Sequence, residues 1–180
     1  MGIIVVLRHA RKEYGNRSGH TVKYDSPIVQ DEWGRAKVVF SKHISEHSLT
    51  PTRIICSPYL RTRETAEILQ EMTGYKLDVE VDRDFSNFLG WNKESNDSDF
   101  EEETRNYTPY PPEKLLEFHK RVKRAFQKIY EELKEDDVVW IITHRFIINS
   151  HLQSRSLKTK RFKPLEGVIF KEGNIGTYIK

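Results

Sequence analysis

Ile3-Ile4-Val5-Val6-Leu7-Arg8-His9 is the stretch that decides the fold. An unbroken apolar run rich in β-branched residues reads as a strand covered on both faces, whereas a half-exposed strand would alternate apolar and polar residues. Arg53-Ile54-Ile55-Cys56 and Val138-Val139-Trp140-Ile141-Ile142-Thr143 repeat that character. Between these runs the period changes from strand to helix. Ala36, Val39, Phe40 and Ile44 share one helical face, and so do Leu115, Val122, Phe126, Ile129 and Leu133 in a longer segment after Pro111-Pro112. A third helical pattern runs from Tyr59 to Met72, with Gly74 just beyond as its stop. Buried strands alternating with amphipathic helices predict an α/β three-layer sandwich, a mostly parallel central sheet flanked by helices.

The whole chain is compatible with that reading. Its 180 residues suit one domain, spanning 1–180, with 37% apolar and 32% charged residues. Thirty basic and 27 acidic residues leave a net charge of only +3, so no nucleic-acid partner is required. The single cysteine, Cys56, cannot form an internal disulfide, and the apolar start is too short for a signal peptide or membrane span. A soluble, cytoplasmic protein without a membrane partner is expected. Two stretches stand apart: the acidic Asn92–Thr104, which reads as a solvated loop or lid rather than a metal site, and the basic Arg155–Lys163, which reads as a soluble surface or as an electrostatic guide for a phosphorylated substrate.

In parallel sheets, active sites collect beyond the carboxyl ends of the strands. Those ends carry Arg8-His9, then Ser57-Pro58 with Arg61, and then His144. Two guanidinium groups and two imidazoles would thus converge on one pocket, where a buried cation is stable only beside an anion. Guanidinium forks match phosphate oxygens in pairs, a neutral imidazole can attack phosphorus, and a second, protonated imidazole can donate to the developing charge.

With these residues in place the sequence resembles the histidine phosphatase superfamily, whose fold is phosphoglycerate mutase-like. Val5-Val6-Leu7-Arg8-His9-Ala10 is similar to its strand followed by Arg-His-Gly. Pro27-Ile28-Val29-Gln30-Asp31-Glu32-Trp33-Gly34 resembles loosely its Pro-Leu-Thr-x-x-Gly segment. Cys56-Ser57-Pro58-Tyr59-Leu60-Arg61-Thr62-Arg63-Glu64-Thr65-Ala66 resembles its Ser-Pro-x-x-Arg-x-x-x-Thr-Ala helix start, and Ile142-Thr143-His144 its strand followed by Ser/Thr-His. The resemblance implies that His9 is the phosphorylated nucleophile, that Arg8 and Arg61 bind phosphate, and that His144 completes the pocket. It further implies no cofactor and no metal, and a phosphorylated small molecule or phosphoprotein as substrate. Asn16, or its neighbour Arg17, corresponds to a polar residue that the family places after its nucleophile, one position out of register.

Departures from the pattern shape the remaining expectations. Ala10 and Arg145 stand where the family has glycine, and Arg145 or Arg11 could add phosphate contacts. The family's acidic proton donor precedes a Gly-x-Trp segment. Here the equivalent place falls near Ser86, making Asp84 the candidate acid with Asp82 and Glu94 behind it. An acid-poor pocket favours a good leaving group, such as that of phosphohistidine. A cysteine-phosphatase loop fails because Thr62, not arginine, stands six positions after Cys56. His43 and His47, one helical turn apart, lack a third metal ligand. Two other functions stay open: a phosphoglycerate mutase-type phosphotransferase, disfavoured by the short chain, and a non-catalytic module that binds phosphorylated ligands.

Overall fold

The computed structural model describes residues 2–13, 26–88, 113–171 and 174–179. Its strands are β1 (Ile3–Arg8), β2 (Arg53–Cys56), β3 (Val79–Val81), β4 (Val138–Thr143), β5 (Gly167–Lys171) and β6 (Asn174–Ile179). Among the described residues its helices are α1 (Glu32–His47), α2 (Leu60–Met72), α3 (Leu115–Glu132) and α4 (Arg145–Ser154), with a 3₁₀ turn at Arg83–Phe85. The strands form one sheet in the order β3-β2-β4-β1-β5-β6. The first four of these lie parallel to one another, and β5 and β6 extend the sheet as antiparallel neighbours.

Alternation along each strand makes three layers. Side chains point to opposite faces at successive strand positions. Ile4 and Val6 of β1 and Val139 and Ile141 of β4 therefore pack on one face, with Phe118, Val122, Phe126 and Ile129 of α3 and Ile147, Ile148 and Leu152 of α4. Val5, Leu7, Trp140 and Ile142 face the other way, onto Ala36 and Phe40 of α1 and Ala66, Ile68 and Leu69 of α2. With helices on both faces, neither side of the central strands can tolerate polar residues, which is why β1 and β4 read as unbroken apolar runs. The buried Trp140 indole donates to Leu49 O at 2.9 Å, so its one polar atom is satisfied.

Two helical faces differ from the pattern read in the sequence. In α1 the buried position is His43, with Ile44 only partly covered. In α3 Leu115 is 55% exposed, and the buried face is Phe118, Arg121, Val122, Ala125, Phe126 and Ile129. Burial of Arg121 is satisfied by Glu113 and by the carbonyls of Asp84 and Ser86, so this cation fastens the 3₁₀ turn to α3. No helix among the described residues is long and apolar enough to cross a membrane.

Candidate active site

Register carries the two histidines to one place. Arg8 of β1 pairs with Thr143 of β4, and His9 N donates to Thr143 O at 3.0 Å, so His9 and His144 leave the same edge of the sheet side by side. Their rings stand 5.2 Å apart at 64°. The end of β2 joins them through Ser57 N, which donates to Ile142 O at 3.2 Å. Arg61 follows in the first turn of α2, with its guanidinium 4.5 Å above the Tyr59 ring. His9, Arg61 and His144 are all at least nine-tenths buried.

The tautomer of His9 follows from its partners. Its Nδ1 lies 2.6 Å from Ala10 O, a carbonyl that can only accept, so Nδ1 carries the proton. Nε2 is then the lone-pair nitrogen, and Arg61 Nε donates to it at 3.3 Å. Burial, and then the Arg61 charge, hold the His9 pKa well below the ordinary histidine value against the opposing Ala10 carbonyl. The imidazole is therefore neutral at physiological pH, with an aimed nucleophilic nitrogen. Ala10 is itself fixed, its N–H donating to Thr65 Oγ1 at 3.1 Å. It is not among the positive-φ residues, so alanine serves here without backbone strain.

Proton counting orients His144 as well. Thr62 Oγ1 lies 2.6 Å from Tyr59 O and 2.8 Å from Ser57 O, and its one hydrogen goes to these carbonyls. Ser57 Oγ, 2.8 Å from Thr62 Oγ1, must therefore donate to it, and His144 Nε2, 2.8 Å from Ser57 Oγ, must donate to the serine. His144 thus holds its proton on Nε2. Burial first, and Arg61 second, keep its pKa well below the usual range in the empty site. A phosphate dianion entering beside it opposes both effects and favours the imidazolium.

Around this centre is a cleft of about 700 Å³ whose lining also includes Arg8, Arg11, Lys12, Asn87, Arg145, Phe146, Arg161, Phe162, Lys163 and Pro164. Arg8 Nη1 donates to Phe162 O at 2.6 Å, tying the residues before β5 against β1. Gly167 makes that approach possible: a Cβ there would lie 2.0 Å from Val6 O. Of the residues expected from sequence, Arg8, His9, Arg61, His144, Arg145 and Arg11 line the cleft together. Asn16, Arg17 and Glu94, like the acidic stretch, lie outside the described residues.

Asp84 is not brought to the cleft. It sits in the 3₁₀ turn, where its N–H is capped by Asp82 Oδ1 at 2.8 Å and its carbonyl accepts from Arg121, so Asp82 and Asp84 organise this turn. Asn87, three residues on, lines the cleft instead, with a buried Oδ1 that has no hydrogen-bond partner. Among the described lining residues there is no carboxylate. Sequence reasoning had passed over Asn87 because it weighed only carboxylates near the expected acid position. Phe146 and Lys12 carried no motif signal.

Two other candidates fall elsewhere. Burial raises the Cys56 thiol to about 12, which makes it a packed side chain of β2 and not a nucleophile. The His43 and His47 rings stack at 5.9 Å on α1, and no group of three or more His, Cys, Asp or Glu gathers as a metal site among the described residues.

Comparison with known proteins follows the same lines. The model of the histidine phosphatase superfamily (branch 1) matches residues 4–163, a span that contains His9, Arg61 and His144. The fold is similar to that of phosphoglycerate mutase from Bacillus anthracis, at 18% identity and a TM-score of 0.65, over 99% of this chain and 92% of that one. Bacillus stearothermophilus YhfR aligns with a TM-score of 0.68 at 17% identity, over 99% and 96% of the two chains. A mycobacterial glucosyl-3-phosphoglycerate phosphatase aligns with a TM-score of 0.61 at 18% identity, over 93% and 89%. None of the curated proteins compared with the sequence matches it.

Proposed function

Because the chain belongs to the histidine phosphatase superfamily, we propose that it is a metal-independent phosphatase, one domain that transfers a phosphoryl group from a phosphomonoester or phosphoramidate to His9 and then to water. The observation that carries this reading is the state of His9: Nδ1–H is locked onto Ala10 O, leaving the Nε2 lone pair beside the Arg61 guanidinium. In the first step Nε2 attacks phosphorus, the bond from phosphorus to the leaving atom breaks, and that atom leaves with the bonding pair. Arg8 and Arg61 hold the phosphoryl oxygens in line and balance their charge, at no cost of reorganisation because both are already fixed. His144, protonated as the dianion enters, donates to the same oxygens. In the second step water attacks phosphorus, the N–P bond breaks, and His9 returns to its neutral form.

Protonation of the leaving atom separates substrates. The described cleft supports chemistry on groups that leave without a strong acid, such as an aryl oxygen or an already protonated phosphoramidate nitrogen. Asp84 would serve poor leaving groups only if its carboxylate reached the site, which its place in the 3₁₀ turn does not favour. Asn16 belongs to this reading as a further phosphate donor, and a cytoplasmic location fits it.

The test is a panel of aryl and alkyl phosphates and phosphoramidates, with products followed in water and in the presence of sugar and polyol acceptors. Release of inorganic phosphate, undiminished by chelator and absent in His9→Ala, is the expected result. Phosphoryl transfer to the acceptors without release would make the protein a phosphotransferase. Binding without turnover of any member would make it a binding module.

A further inference from the structure

A second cleft, of about 800 Å³, opens at the edge of the sheet opposite His9. Gly2, which lines it, precedes β1, whereas His9 follows β1, so the six residues of the strand hold the two clefts about 20 Å apart. Helix α4 spans the same interval, starting beside His144 and ending at Ser154 in the lining of the second cleft. A molecule held here stands outside the reaction at His9.

Its wall is built where α3 and α4 pack together. Phe126 and Tyr130 of α3, with Leu133 just beyond the helix, supply an apolar side. Gly2 lies so close to this wall that a Cβ there would meet Leu133 Cγ at 2.4 Å and Lys134 O at 2.5 Å. His151 of α4 also lines the cleft; its ring stacks 3.6 Å from Phe126 and its Nε2 lies 3.1 Å from the Tyr130 hydroxyl. Burial keeps the imidazole neutral and raises the phenol to about 12, so neither ring is charged. The phenol is the stronger donor of the two and the imidazole nitrogen the stronger acceptor, so Tyr130 donates to Nε2 and the imidazole proton sits on Nδ1. That Nδ1–H is buried with no hydrogen-bond partner. Buried donors are nearly always paired, and one left over on the wall of a cleft suits an acceptor that arrives with a ligand.

The charges in the lining select the same kind of partner. Lys123, Lys134 and Arg155 pair with no carboxylate among the described residues. Two acids, Glu131 and Glu135, stand among them, so three cations face two carboxylates, a balance that suits a monoanion better than a phosphate dianion. The half-buried Arg155 holds its guanidinium 5.5 Å over the Tyr130 ring. A guanidinium seated on one ring can offer its edge to a carboxylate and its other face to a second ring. We propose that this cleft is a second ligand site and that it takes a small aromatic carboxylate, its ring against Tyr130 and Leu133 and its carboxylate on Arg155. The volume is in the usual range for small-ligand pockets, and the site does not depend on the chemistry assigned to His9.

The experiment is titration of the full chain with benzoate, indole-3-acetate and 2-naphthoate, and with the primary amide of each, followed by calorimetry and by the methyl NMR signals of Leu133. At least one carboxylate should bind with a Kd of about 1 mM or below and about tenfold tighter than its amide, and should move the Leu133 signals. Saturating inorganic phosphate should leave that affinity unchanged. Arg155→Gln should weaken binding about tenfold at an unchanged melting temperature. A weakening is also expected in His151→Phe, which keeps the stack on Phe126 and removes the donor. Failure of all three carboxylates to bind overturns the site, as does equal binding of the amides or affinity that survives either substitution. Displacement by phosphate overturns it too, because it would place the ligand at His9. The readings fail separately: phosphorylation of His9 without carboxylate binding defeats only the second site, and carboxylate binding without phosphorylation of His9 defeats only the phosphatase reading.

Discussion

The Arg61 guanidinium reaches His9 Nε2 at 3.3 Å while lying 4.5 Å over the Tyr59 ring, and Tyr59 in turn meets the His144 ring edge-on at 4.9 Å. A planar cation stacked on one ring in this way can donate to the nucleophile's nitrogen and to phosphate oxygens from one rigid fork. Lysine keeps the charge and loses the fork. Arg61→Lys should therefore reduce kcat on an activated aryl phosphate by about 2–3 kcal/mol of transition-state stabilisation, as for other oriented donors. Turnover near the parent value, in a variant of unchanged melting temperature, would remove Arg61 from the reaction. At this scale the sequence was most informative where a residue's place is fixed by a strand end. His9, His144 and Arg8 each follow or finish a buried strand, so their convergence could be read from the apolar runs alone. Asp84 could not be placed that way: Asn87 lies only three positions after it, and a 3₁₀ turn pinned by Arg121 decides which of the two turns toward the cleft.

The elements divide by how they are buried. Strands β1, β2 and β4 are covered on both faces and were legible as continuous apolar runs. Strand β3, at the sheet edge, is Val79-Glu80-Val81 with Glu80 and Val81 exposed, too short and too polar to stand out. Strand β5 offers only Val168-Ile169-Phe170 between Gly167 and Lys171, and its antiparallel pairing with β1 depends on that glycine's close approach, which no local pattern announces. Helix α4 also escaped notice, because its apolar positions follow the strand-like run of β4 with only His144 and Arg145 between them. The consequence reaches function. The basic stretch before β5 was visible as charge, but its position beside His9 depends on β5 returning against β1 and on Asn149 holding Lys160.

Across the whole molecule, burial keeps His9, His43, His144 and His151 neutral, each lowered first of all by desolvation. Such groups bind protons more readily unfolded than folded, so the stability they permit is present above the ordinary histidine value and is lost as pH falls toward their folded values. His151 is the clearest case. It is stacked 3.6 Å from Phe126, hydrogen-bonded to the Tyr130 hydroxyl at 3.1 Å, and lowered from 6.5 to about 3. Between those two values it should remove about 1.4 kcal/mol of stability per pH unit of acidification. His151→Phe, which keeps the stack, should flatten the fall in denaturant-determined stability between pH 6.5 and 4 by that slope; an unchanged pH dependence would contradict the assignment. The phosphoryl transfer itself depends on one bond, the N–P bond on His9 Nε2. Enzyme mixed with labelled aryl phosphate and quenched within a turnover should retain label that survives alkali and is lost in acid, as a phosphoramidate must be, and His9→Ala should retain none. Label that survives acid, or that persists without His9, would contradict the account.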